Sequence, residues 1–177
     1  MFSADGIQIP PQTQMRDVGR NKISDTQMTQ DEIKQFHDIV DENIRQYGYH
    51  MTFVFEDETP SFCYSTGVYK TFDIPEIFIS SLPQNLAFEL VKNYVNKFKK
   101  TKSIPLDKKL TDLTERFPVY LISVPTDKLK DYVLSSIRFY KNEDYKYLQL
   151  IYPDTNGHFP NDKGYDYDQI IMGGFTN

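Results

Sequence analysis

The sequence predicts a single α+β domain, a mainly antiparallel sheet packed by about three helices. Three observations carry this. Apolar periods of 3.6 and of 2 alternate along the chain in the order α-β-β-β-α-β-α-β. The first strands follow one another through short turns, as antiparallel neighbours do. Helices and strands do not alternate strictly, as parallel α/β units would. With 177 residues the chain is long enough for a real core in one domain, assigned here to residues 29–177.

Residues 1–28 are polar, hold Pro10-Pro11 and show no period, so they read as a loosely ordered N-terminal arm. A helix starts at Thr29, where Thr29 and Glu32 are spaced as a capping box. Its apolar stripe is Ile33, Phe36, Val40, Ile44 and Tyr47, and Gly48 suits the left-handed C-terminal cap. Residues 49–55 alternate as a strand, with Tyr49, Met51, Phe53 and Phe55 on one face and His50, Thr52 and Val54 on the other. An acidic turn, Glu56-Asp57-Glu58, leads to an antiparallel partner strand at 62–68, interrupted near its end by Gly67. A tight irregular loop closes at Pro75, and Ile77-Phe78-Ile79 reads as a strand covered on both faces.

Ser81 and Gln84 suggest a second capping box, followed by a buried stripe of Ala87, Leu90, Val91, Tyr94 and Phe98. Lys97, Lys99 and Lys100 complement the end of that helix dipole, and together with Lys102 read as a solvated helix end. Residues 102–116 form a connection with room for one short strand. Residues 117–124 form a strand, and a helix from Pro125 is expected to bury Leu129, Tyr132, Val133, Ile137 and Tyr140. Residues 145–152 are the last strand. Residues 153–177 are turn-rich, and their aromatic residues argue that they pack on the core.

Three motifs carry a resemblance. F-C-Y-S-T-G-V-Y-K-T-F-D-I-P-E-I-F-I begins at Phe62, Tyr47-Gly48-Tyr49-His50 precedes it, and Leu148-Gln149-Leu150-Ile151-Tyr152-Pro153-Asp154 with Gly157-His158-Phe159-Pro160 comes after it. In this order they resemble the bacterial domain of unknown function 4262 family, over roughly residues 33–171. Members typically read F-A-Y-T-V-G-L, then H-P-E-[IL]. Here Asp73-Ile74 stands where many members have Gly-His, and Tyr49 stands in place of a Trp. The resemblance implies a fold and a site location, and no activity.

The site expected from the motifs comprises His50, Tyr64, Thr66, Tyr69, Glu76, Gln149, Asp154 and Phe159, in a ligand- or partner-binding role and not a catalytic one. The three motifs are expected to meet in space, because each holds polar groups amid apolar strands. Cys63 lies in an aromatic strand with no basic neighbour, so it reads as a buried core thiol. As the single cysteine it forms no intramolecular disulfide, which fits a reducing, cytoplasmic compartment. The histidines lack the tight spacing of a metal site, and no phosphate-binding glycine loop occurs, so no metal or cofactor is expected. Asp154 reads as a turn cap and Gln149 as a buried amide bonded to a neighbouring loop.

The net charge of −5 argues against nucleic acid, and no apolar run reaches membrane-spanning length. Acidic groups at 56–58 and at Asp162, Asp166 and Asp168, with Phe159, Tyr165 and Tyr167 nearby, suit a basic protein partner such as a toxin. The expected function is therefore a non-catalytic protein-binding domain of immunity or accessory type. Two alternatives stay open. One is a small hydrolase pairing His50 with a carboxylate, Asp154 or Glu76. The other is a small-ligand binder with an aromatic pocket.

Overall fold

In a computed structural model of the protein, the residues described are 13–16 (backbone only), 29–55, 60–141 and 143–176. The elements are β1 (Thr13–Arg16), α1 (Gln30–Tyr47), β2 (His50–Phe55), β3 (Phe62–Thr66), α2 (Val68–Phe72), β4 (Glu76–Ser80), α3 (Gln84–Thr101), β5 (Tyr120–Val124), α4 (Leu134–Tyr140) and β6 (Tyr147–Ile151). A 3-10 turn at Thr126–Leu129 precedes α4. The sheet order is β1-β2-β3-β4-β6-β5. The β2–β3, β3–β4 and β5–β6 pairs are antiparallel, whereas β1–β2 and β4–β6 are parallel. The expected α+β class with a mainly antiparallel sheet holds.

Within the N-terminal arm, Thr13–Arg16 pairs with Thr52–Phe55 of β2, and the rest of the arm lies outside the described residues. The acidic turn at 56–59 lies outside them as well.

Both faces of the sheet are covered. On one face α3 buries Ala87, Leu90, Val91, Tyr94 and Phe98 against Met51, Phe53, Cys63, Ile77, Ile79, Leu121 and Leu150. The other face carries Val54, Phe62, Tyr64, Phe78 and Tyr147, packed with Leu129 and Val133. Beside them Ile122 and Ile151 pack with Phe159 and Phe175 from the C-terminal segment.

The Thr29–Glu32 capping box forms, and Gly48 takes a left-handed φ of 87°. Gly67 has φ 97°, and a Cβ there would meet the Ile44 side chain at 3.0 Å and Gly48 O at 3.2 Å. The chain thus turns sharply where the end of β3 passes close to the end of α1, as the expected close approach requires.

Four sequence expectations are corrected. Strand β3 stops at Thr66, and the chain beyond Gly67 forms the five-residue helix α2, not an irregular loop. Ser81 does not cap α3: it takes φ 61° and its hydroxyl donates to Asp168 O at 3.1 Å, while Pro83 holds the cap position. The helix expected from Pro125 is split into the 3-10 turn and α4. Ile137, expected inside, is 37% exposed.

Candidate functional site

The face of the sheet beneath α1 and α4 carries a row of polar side chains. Strand alternation and register place His50 and Thr52 of β2, Tyr64 and Thr66 of β3, Phe78 of β4 and Tyr147 and Gln149 of β6 on that face. Tyr64 pairs with Phe78, and Phe78 with Gln149, so the central motif and the last strand share one surface as expected. His50, Ser65, Thr66, Glu76 and Gln149 are all at 0% exposure, so each polar atom must find its partner inside the protein.

Most do, and α4 supplies many of the partners. The Tyr64 hydroxyl donates to Ser135 Oγ at 3.1 Å and accepts from Ser135 N at 3.2 Å. Ser136 Oγ lies 2.7 Å from both Thr66 Oγ1 and the Tyr147 hydroxyl, and Tyr147 donates to Ser65 O at 2.7 Å.

Glu76 sits where β3 and β4 cease to pair. Ser65 takes over the strand bond there: its Oγ accepts from Ile77 N at 3.0 Å and donates to Glu76 Oε2 at 2.5 Å. Tyr140 donates to Glu76 Oε1 at 2.5 Å and the Tyr69 amide does so at 3.1 Å. These are neutral donors. Burial pushes the Glu76 carboxyl up, against the downward pull of the Ser65, Tyr140, Tyr69 and Gly67 hydrogen bonds. Burial and then the Glu76 charge push the Tyr140 hydroxyl well up.

His50 lies under α1. Its Nδ1 accepts from Asn43 Nδ2 at 2.9 Å, which puts the ring proton on Nε2. Nε2 has no hydrogen-bond partner among the described residues. Burial lowers the His50 pKa to about 4, so the ring is neutral at pH 7.

The expected site thus divides. His50, Tyr64, Thr66, Glu76 and Gln149 are buried around the central strands, and Tyr69 sits half-buried at their edge on α2. Asp154 and Phe159 belong to the turn after β6. Asp154 Oδ1 accepts from the amides of Asn156 and His158, both at 2.9 Å, which is the turn-capping geometry expected. Its other oxygen lies 3.2 Å from His158 Nδ1. Phe159 is buried edge-to-face on Tyr120 and beside Phe175.

Cys63 is fully buried on the α3 side, opposite His50, and burial raises its thiol pKa. Ile74 is 1% exposed in the α3-side core. Asp73 takes the left-handed conformation, φ 56°, as the C-terminal cap of α2. Among the described residues no three His, Cys, Asp or Glu side chains are grouped to hold a metal, and no helix is long and apolar enough to cross a membrane.

Sequence reasoning missed Ser135, Ser136 and Tyr140 as partners of the row. The signal was present in the serine pair of a helix that otherwise shows an apolar pattern. Gln149 was expected to bond a loop, and the loop is C-terminal: Nε2 donates to Ile170 O, and Oε1 accepts from Met172 N at 2.8 Å. Ser80 Oγ accepts from Ile170 N at 3.0 Å, and Gln169 exchanges hydrogen bonds with the Tyr152 backbone at 3.0 and 3.3 Å. This strap holds Asp166, Tyr167 and Asp168 outward, with Tyr167 38% exposed.

Searches of the curated proteins and of the solved structures found no match. The family model described as Domain of unknown function (DUF4262) matches residues 43–166, from the Asn43 that holds His50 to the exposed Asp166. That span holds all three motifs and covers more than half of the chain, and the protein belongs to this family.

Proposed function

We propose that the protein is a non-catalytic binding domain that takes a basic protein partner on its C-terminal strap. The observation that carries this reading is the contrast between the two polar regions. The motif residues turn inward and are mostly satisfied inside the protein, largely by side chains of α4. The strap has no regular secondary structure, yet Gln149, Ser80, Ser81 and Gln169 fix its backbone to the sheet. Irregular chain held rigidly on a scaffold is the usual setting for recognition. Asp166 and Asp168 offer negative charge beside the Tyr167 ring, and Tyr is a frequent interface anchor. Acidic groups flanking an aromatic ring suit a surface rich in Lys or Arg.

The test is affinity capture from the host with wild-type bait and with Tyr167→Ala and Asp166→Lys/Asp168→Lys baits, at low and high salt. A stoichiometric basic protein should be held by wild type at low salt, released at high salt and lost with both variants. Capture unchanged by the variants refutes the strap as the binding surface. A turnover activity abolished in His50→Ala refutes the non-catalytic reading.

A further inference from the structure

Helix α4 is built inside out. Its exposed face carries Leu134 at 41% and Ile137 at 37% exposure, while Ser135 and Ser136 are buried at 2% and 0%. Tyr140 is the one large side chain that the helix fully buries. Helices α1 and α3, in contrast, bury Phe36 and Val40, and Ala87, Phe88, Leu90, Val91, Tyr94, Val95 and Phe98.

The difference has a physical consequence. Apolar burial is lost outright when a helix leaves its sheet, because water does not replace it. Hydrogen bonds of hydroxyl groups are exchanged for hydrogen bonds to water, at small net cost. The inward hydrogen bonds of α4 are of the second kind: Ser135 with Tyr64, Ser136 with Thr66 and Tyr147, and Tyr140 with Glu76; its main inward apolar contact is the Tyr140 ring, stacked on Tyr145. Its tie to α1 is the Arg138–Asp41 ion pair, whose partners are 30% and 51% exposed, and such pairs contribute little. The surface beneath α4 is also polar, so wetting it leaves less apolar area bare than lifting α3 would.

Both ends of the helix suit a hinge. Leu129 and Val133, each at 0% exposure, anchor the chain before it. Lys141 after it takes φ 55°, a turn that ends the helix sharply.

We propose that α4 is a lid, detaching as a unit from a sheet that otherwise stays folded and opening Tyr64, Thr66, Glu76 and Tyr147 to solvent. The Tyr140–Glu76 hydrogen bond is its latch. This inference is independent of the strap and its partner.

Two measurements on the folded protein test it. In native-state hydrogen exchange, the amides of Ile137 and Lys141, bonded to Val133 O and Ile137 O, should exchange by a common opening at least about tenfold faster than the α3 amides. Tyr140→Phe, which removes the latch, should accelerate these α4 amides further and leave the α3 amides unchanged. In a Ser136→Cys variant the new thiol should react with a thiol reagent at least about tenfold faster than Cys63, which lies under α3 in the same molecule. Exchange of α4 only together with α3 in the unmodified protein overturns the lid. So does labelling of residue 136 no faster than Cys63.

Discussion

Lowering the pH from 7 to 5 should destabilise this protein through His50, and replacing that ring by glutamine should remove the loss. The ring is at 0% exposure and burial lowers its pKa to about 4 from 6.5. Near pH 5 the unfolded chain therefore binds a proton at this position and the folded chain does not. The stability that the neutral ring carries is fully present above about 6.5 and is lost as pH falls toward 4. A shift of this size corresponds to about 3 kcal/mol in full, of which about 2 kcal/mol is gone by pH 5. The assay is urea unfolding at pH 7 and pH 5, on wild type and His50→Gln. Glutamine can accept the Asn43 amide through its own oxygen but cannot titrate. Every other ionisable side chain is common to the two proteins, so its contribution cancels in the difference. Wild type should lose about 2 kcal/mol more than the variant between the two pH values. Equal losses would refute the claim that a buried, uncharged His50 is part of the core.

Glu76 titrates with the opposite sign, because burial raises its carboxyl pKa from 4.5. Its contribution is fully present below pH 4.5 and is lost as pH rises through the folded pKa, so Glu76→Gln should flatten the decline in unfolding free energy on that side. Tyr140 and Tyr147, which face the same carboxyl, have hydroxyl pKa values raised from 10 and so stay uncharged there. Gly67→Ala should destabilise by about 1–3 kcal/mol in chemical denaturation, because it places a Cβ at φ 97° and 3.0 Å from the Ile44 side chain. Gln149→Leu should release the strap while keeping the sheet, so limited proteolysis should cut residues 165–172 early; cleavage no faster than in wild type would show that Ser80 and Gln169 suffice to hold it.

Much of the fold is legible without coordinates. Thr29, Glu32 and Gly48 mark the ends of α1 because capping depends only on residues a few positions apart. The hairpin of β2 and β3, the buried stripe of α3 and the burial of Cys63 follow from periodicity and composition for the same local reason. Helix α2 was not legible, since five residues are too few to show a 3.6-residue period. The Ser81 cap failed because that serine is drawn to the strap, bonding Asp168 O some 87 positions along the chain.

By itself, then, the sequence determined the fold class, the core stripes and the family motifs, all of which rest on short-range spacing. Tertiary structure decided what the polar residues of those motifs are for. The sequence places His50, Tyr64, Glu76 and Gln149 on strands, but their partners are Asn43, Ser135, Tyr140 and Ile170, brought in by α1, α4 and the strap. The parallel insertion of β6 between β4 and β5 sets that arrangement, and strand order is a long-range choice. It also changed the reading of α4 at Ile137, while Tyr140 is buried as expected. A hydrophobic stripe points inward only where the surface beneath is apolar; over a row of hydroxyls and a carboxyl, Ser135 and Ser136 go in and Ile137 goes out.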